Sequence, residues 1–331
     1  MIECVFTIDY EIYGNGKGSL RDLVWEPAER LRMLFSEANA RFVVFPEVAE
    51  LEMMDTLATD DGIAAVKEQL RDFHRDGFEI GLHMHPWWYN AEYDRGQWRL
   101  DDSEYNLCAL PSERIEHMVE RSIAYLRRTL GAPDFTPLSF RAGHLLFQPA
   151  RAAASALARH GIKLDSSVYK GGVWPQHKLD YRRALRNGYF WRFTEDSVLP
   201  DPNGALLEIP IHTQMVPIWT MLTSKRVGLE RRGTTVARAG QKIVARLKAA
   251  ARLRRPLKFD YCAMTTHEIA RMLECVMRED RDDPASYRPL VAIGHTKDLV
   301  DYETVASLLS YLKENGIPVS TLAEVYRKCM S

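Results

Sequence analysis

The run Thr7-Ile8-Asp9-Tyr10-Glu11 sets two carboxylates two positions apart in a short apolar, β-prone segment. On a strand, alternate residues share a face. Asp9 and Glu11 therefore project together with Val5 and Thr7, and Cys4, Phe6, Ile8 and Tyr10 face the other way. Two buried like charges are costly without a metal ion or an arginine beside them; the competing reading is an exposed acidic turn. The same parity governs Gly81-Leu82-His83-Met84-His85-Pro86-Trp87-Trp88, where His83 and His85 share a face opposite Leu82 and Met84. Two imidazoles at one strand end and a carboxylate from another make a divalent-metal site. Taken alone, a strand histidine is more often a hydrogen-bonded core residue. Trp87 and Trp88 either stack on a sugar at the mouth of such a site or simply pack.

Three further positions carry charge or a proton. Arg141, in Phe140-Arg141-Ala142-Gly143, can pair with Asp9 and keep it ionised. His295, in Ile293-Gly294-His295-Thr296-Lys297, is the candidate for a histidine outside the metal set. Asp165, in Leu164-Asp165-Ser166-Ser167-Val168, is the carboxylate that would orient it. His212 ends the run Glu208-Ile209-Pro210-Ile211-His212, and it and His144 are further candidates to touch substrate or metal. A glycosidase using Asp9 and Glu11 fits poorly, because neighbours on one strand do not flank a sugar bond at the ~5–9 Å separation such enzymes need.

These residues must be brought together by elements that alternate. Hydrophobic period predicts strands over 5–11, 41–48, 78–85, 138–142, 162–168 and 290–293, and helices over 27–40, 61–75, 111–130, 149–160, 265–279 and 302–315. Thr265 with Glu268 and Thr321 with Glu324 read as capping boxes, the second opening a final helix. Such alternation means parallel strands joined by right-handed crossovers, in a barrel or a doubly wound sheet. Active sites of these folds lie at the C-terminal strand ends, where the candidate residues fall. Residues 87–110 read as a long loop after a strand.

Composition narrows the function. The 331 residues carry a net charge of −1, which excludes a polycation built for nucleic acid. The five cysteines form no C-x-x-C pair and read as reduced thiols. The N-terminal run lacks a basic flank and reads as a strand instead of a signal peptide. No apolar run approaches the ~18 residues of a membrane span, so a cytoplasmic location is expected. One region is strongly biased: between Lys225 and Lys258 there are twelve Lys/Arg and a single acid, Glu230. From Thr235 to Arg255 it fits a basic amphipathic helix, which suits either an anionic membrane surface or a solvated charged face.

The order of motifs resembles the polysaccharide deacetylase superfamily (NodB-homology, carbohydrate esterase family 4), over a span from Phe6 to about Tyr326 with an insertion at 222–258. The carriers are Thr7 to Glu11, Gly81 to Pro86, Phe140 to Gly143, Asp165 to Ser167, Gly294 to Thr296 and the closing Gly316-Ile317-Pro318-Val319-Ser320-Thr321-Leu322. The resemblance implies a single domain with an incomplete (β/α)7 barrel and a metal-dependent hydrolase that removes an N-acetyl or similar group from an amino sugar. It implies a divalent ion, zinc in the first instance, on Glu11, His83 and His85. Asp9 becomes the base, held by Arg141, and His295 the acid, oriented by Asp165. Trp87, Trp88, Gly143 and His212 fall on the substrate side. Four departures mark a divergent branch: Tyr10 separates the two acids, the two histidines sit closer together than that family's pair, the Arg motif around Arg141 lacks that family's Pro-Tyr, and no Trp follows Asp165. A cytoplasmic enzyme of this kind would act on a nucleotide- or lipid-linked intermediate of surface-polysaccharide assembly. The other readings are a hydrolase of a non-sugar C–N bond, such as a cyclic amide, and a non-catalytic carbohydrate-binding homologue.

Overall fold

The computed structural model describes residues 1–185, 188–232 and 254–331. Eleven strands matter for the site: β1 (Ile2–Tyr10), β2 (Val43–Pro46), β3 (Glu79–Ile80), β4 (Leu82–Met84), β5 (Ser139–Ala142), β6 (Leu164–Asp165), β7 (Trp191–Phe193), β8 (Leu206–Glu208), β9 (Thr213–Pro217), β10 (Arg254–Lys258) and β11 (Arg288–His295). One sheet runs β11-β1-β2-β3 and another β7-β8-β6-β5-β4. Single parallel bridges, Glu47 with His83 and Ile211 with Val291, link the two sheets at both seams. The parallel strands therefore follow one another round a ring, with β7 alone added antiparallel on β8. This is the (β/α) barrel architecture that the resemblance implies, and one of the two that the alternation allows.

The parity read in the sequence is the parity present. Phe6, Ile8 and Tyr10 pack outward with residues of the helices, including Phe35 and Leu70. Val5, Val43, Phe45, Leu164, Leu207 and Val291 fill the interior. Because β1 runs in register with β11, Asp9 lies opposite His295.

The helices are α1 (Glu26–Glu37), α2 (Val48–Leu57), α3 (Ile63–Arg75), α4 (Ser112–Leu130), α5 (Arg151–Arg159), α6 (Ser224–Arg232), α7 (Thr266–Asp282), α8 (Tyr302–Glu314) and α9 (Leu322–Met330). Both capping boxes, at Thr265 and Thr321, are formed. Among the described residues, no helix is long and apolar enough to cross a membrane.

Three local readings change. Helix α2 follows β2 almost at once, where the sequence reading ran the strand to residue 48; Glu47 accepts from the Ala49 and Glu50 amides and opens the helix. The stretch 87–110 is no plain loop. It holds a 3-10 turn, Pro86–Asn90, and a hairpin of Glu92–Asp94 with Gln97–Arg99. The basic amphipathic helix expected over 235–255 falls largely on residues 233–253, outside the described residues. Its last two positions, Arg254 and Arg255, are extended in β10 and pair antiparallel with β9. Pro256 suits that state, since a proline inside a helix would remove a hydrogen bond and clash with the preceding turn.

Candidate metal centre and active site

The side chains at the strand ends separate into two groups. The first is Glu11, Glu47, His83 and His85, all buried, whose candidate ligand atoms lie within 4.8 Å of one another. His83 Nε2 is 3.4 Å from Glu11 Oε2 and 3.8 Å from Glu47 Oε2. His85 Nδ1 is 2.7 Å from Glu47 Oε2 and 3.4 Å from Glu11 Oε2. Glu47 was not anticipated, although it follows strand β2 directly and the strand-end argument applied to it as well as to Glu11. Its capping of α2 supplies a structural role that conceals the second one.

The cluster poses a charge problem. His83 Nδ1 is bonded to the Arg141 carbonyl oxygen at 2.9 Å, so it carries the ring proton. The Nε2 lone pair of a neutral ring then faces two carboxylates, and among the described residues that atom has no hydrogen-bond partner. A cation resolves this, either a proton or a metal ion. Burial lowers the basicity of His83, but Asp9, Glu11 and Glu47 outweigh it and raise its pKa to about 9. Glu11 is driven up by burial yet held well below the usual carboxylate range by Lys297, His85 and His83. Lys297 Nζ sits 2.5 Å from Glu11 Oε1. Glu50, which accepts from the Ile12 amide, is pushed well up by burial and by Glu11 and Glu47. Two imidazole nitrogens and two carboxylates suit zinc or a similar borderline divalent ion. An imidazole whose other nitrogen is tied to a carbonyl, as in His83, is the usual state of a ligating histidine; His85 Nε2 instead accepts from the His144 amide, so His85 Nδ1 holds a proton that it donates to Glu47 and would have to lose to bind an ion.

The second group is Asp9, Arg141 and His295. Arg141 is fully buried, and its Nη1 reaches Asp9 Oδ1 at 2.8 Å. Its other bonds, to Thr7 Oγ1 on β1 and to the Ser166 carbonyl oxygen just past β6, fix the guanidinium between those two strands. Burial raises the Asp9 pKa, but Arg141, His83 and His295 more than offset it, and the carboxyl stays below its ordinary value. His295 Nε2 lies 3.5 Å from Asp9 Oδ2.

Three expected placements are corrected. Asp165 does not orient His295. It lies opposite Glu208 on β8 and accepts from the Ser167 amide at 3.1 Å and from Ser167 Oγ at 2.6 Å. It thus stabilises the Ser166-Ser167 turn on which Arg141 rests. His212 does not line the cavity: Ile211 takes the inward position, and His212 stacks parallel to Tyr189 with ring centroids 6.1 Å apart. Gly143 lines no part of the cavity either. A Cβ there would fall 2.6 Å from His85 Cδ2, so glycine is needed for the histidine to pack. The next residue, His144, donates its backbone N–H to His85 Nε2 at 3.1 Å.

Both groups open into one cavity of about 510 Å³. Trp87 and Trp88 line it but are each 1% exposed. Trp87 meets His144 and Tyr105 edge-on, and Tyr105 stacks on His144 at 4.1 Å. Arg226 of α6 and Lys258 of β10 also line the cavity. Both were hidden inside the basic run, where charge density alone gives no position.

No family model and no curated protein matches the chain. Solved structures share its fold. A Mycobacterium smegmatis protein described as a polysaccharide deacetylase is 13% identical with a TM-score of 0.52, covering 99% of this chain and 89% of that one. The structure of Puue allantoinase is 12% identical at 0.52, covering 98% and 89%. TK1436, a GH57 branching enzyme from Thermococcus kodakaraensis, is 10% identical at 0.56, covering 98% and 70%. The chain thus has the barrel fold found in polysaccharide deacetylases, at a sequence distance that leaves the chemistry to its own residues.

Proposed function

We propose that this protein is a metal-dependent hydrolase that cleaves the amide of an N-acylated amino sugar. The observation that carries the reading is the separation of roles. His83 Nε2 faces Glu11 and Glu47, whereas Asp9 pairs with Arg141 and His295 a short distance away.

Glu11, Glu47, His83 and His85 would hold the ion. When bound, a divalent ion polarises a carbonyl and makes water more acidic. Asp9, kept ionised by Arg141, accepts a proton from the attacking water. His295, beside Asp9, delivers a proton to the leaving nitrogen as the C–N bond breaks. The acyl group leaves as a carboxylate and the sugar as a free amine. Trp87, Tyr105 and His144 line the cavity but pack on one another: Trp87 is buried, and Tyr105 is stacked between His144 and His177.

The test is acetate release after metal loading, with N-acetylglucosamine oligomers in one arm and a cyclic ureide in the other. Acetate from the sugars supports the reading. Ring opening of the ureide alone moves the protein to a hydrolase of cyclic amides. No turnover of either, with metal bound, would leave a carbohydrate-binding role.

A further inference from the structure

One cation is already inside the candidate metal centre. Lys297 Nζ lies 2.5 Å from Glu11 Oε1 and donates to the Ile12 carbonyl oxygen at 3.2 Å. The other oxygen of that carboxylate, Oε2, is the one 3.4 Å from both His83 Nε2 and His85 Nδ1. The two oxygens of Glu11 are thus divided, one given to the ammonium and one to the place where an ion would sit. The division is built into the fold. Lys297 belongs to the 3-10 turn Thr296–Asp298 that follows β11, and β11 pairs with β1 in register up to Asp9 and His295. Thr296 Oγ1 staples this turn to Glu11, accepting from its backbone N–H and donating to its carbonyl oxygen, both at 3.2 Å.

This ammonium is no surface counter-charge. Its side chain is 15% exposed and lines the same cavity as the candidate ligands. Glu50 and Asp298 also act on it, but Glu11 is its one ion pair among the described residues. With both imidazoles neutral, Glu11 and Glu47 bring two negative charges to the centre and Lys297 cancels one of them. Like charges fixed close together inside a protein repel far more strongly than in water. Lys297 therefore opposes any cation that Glu11 helps to hold. It also occupies Oε1, although a free carboxylate can bind an ion through one oxygen or both.

We propose that Lys297 is a positioning residue of the metal centre, which confines Glu11 to a single ion-binding oxygen and holds down the affinity of the centre for its ion. The proposal rests on the metal-centre part of the hydrolase reading. A merely structural ion pair predicts the opposite sign, since its removal would loosen Glu11 and weaken binding.

The probe is zinc, titrated calorimetrically into the metal-free full chain. Lys297→Met is expected to bind it at least ~10-fold tighter. Lys297→Arg keeps the charge and the bond to Oε1, and should match the unaltered protein. Cobalt(II) gives a second readout, because the visible bands of a four-coordinate ion are stronger than those of a five-coordinate one. They should weaken in Lys297→Met, where both oxygens of Glu11 become available, and hold their strength in Lys297→Arg. Equal or weaker zinc binding by Lys297→Met overturns the proposal, as does an unchanged cobalt spectrum. Should Lys297→Met fail to fold, Lys297→Gln removes the charge and keeps a donor for Glu11, and zinc binding no tighter than that of the unaltered protein then overturns it. The two readings fail differently. Tighter zinc binding by Lys297→Met, with no acetate from any N-acetyl sugar, leaves this proposal standing and removes the hydrolase. Acetate release by the unaltered protein, with no gain of zinc affinity in Lys297→Met, does the reverse. A chain that binds no ion in any of these forms overturns both.

Discussion

His83 Nδ1 is hydrogen-bonded to the backbone carbonyl oxygen of Arg141, the residue whose side chain pins Asp9. Strands β4 and β5 pair in register at these two positions, so one strand contact fixes both halves of the site. The Arg141 carbonyl turns the imidazole so that Nε2 meets Glu11 and Glu47. The Arg141 guanidinium reaches round the interior to the other carboxylate of β1. A displacement of β5 would therefore disturb the metal cluster and the Asp9 pair together.

Glu47 should prove to be a ligand. Metal analysis of the purified, reloaded protein is expected to find a single divalent ion, and Glu47→Gln to weaken its binding by at least ~10-fold, the scale seen when even supporting partners of a metal site are lost. Glutamine keeps an oxygen to cap α2, so the helix should persist. Unchanged affinity in Glu47→Gln would remove this residue from the set.

The metal-free protein should carry a proton where the ion would sit. His83 has a folded pKa near 9 against an ordinary value of 6.5. A raised pKa means the protonated ring adds stability that is fully present below pH 6.5 and is lost as pH rises through 9. The melting temperature of the metal-free protein should therefore fall between pH 6.5 and 9. The ion displaces that proton, so added metal should protect most at the alkaline end of this window. A flat melting profile for the metal-free protein over that range would contradict the charge reading of the cluster.

How far the sequence foretold this site depends on the residue. Asp9, Glu11, His83 and His85 were legible because strand parity is a hard rule, and a period of two puts a side chain inside or outside without ambiguity. The helices that opened with Thr265 and Thr321 were legible because their caps are local. Glu47 was missed because the apolar run over 41–48 reads as a strand that continues past it. Lys258 was missed because only tertiary pairing of β10 with β9 turns one lysine of a basic run into the cavity. Asp165 was misassigned for the same reason, since its partner Glu208 is 43 residues away and adjacent only in the sheet.

Asp9 should behave as an ionised base down to low pH. Its carboxyl is held below 3.8, chiefly by Arg141 working against burial. The active, deprotonated form therefore persists as pH falls through the ordinary carboxylate range, and kcat/KM should stay level there. Asp9→Asn is expected to cost ~10²–10⁴-fold in kcat while metal stays bound. Arg141→Met leaves the burial of Asp9 unopposed by its largest counter-charge, so the acidic limb of the pH–rate profile should move upward. It should also destabilise the fold by ~3–5 kcal/mol, because a buried carboxylate loses its partner. Loss of metal in Asp9→Asn would assign Asp9 to the ligands, and an unmoved acidic limb in Arg141→Met would mean that another group sets the base.

Gly143→Ala offers a test of the site's shape without altering any of its charges. The added Cβ would stand 2.6 Å from His85 Cδ2, 2.7 Å from His85 Cγ and 2.8 Å from the Met84 carbonyl oxygen. All are closer than van der Waals contact allows, and one belongs to backbone, so rotation of a flexible side chain cannot relieve the clash. The imidazole must move, and with it the 2.7 Å contact to Glu47 and the hydrogen bond from the His144 amide. Metal affinity should drop by ~10–100-fold, as it does when groups that orient a ligand are disturbed. Strand β5 ends at Ala142, so the barrel itself should remain folded, with its circular dichroism spectrum retained. Were Gly143→Ala to bind metal normally while losing affinity for sugar, the glycine would belong to the substrate side of the cavity after all.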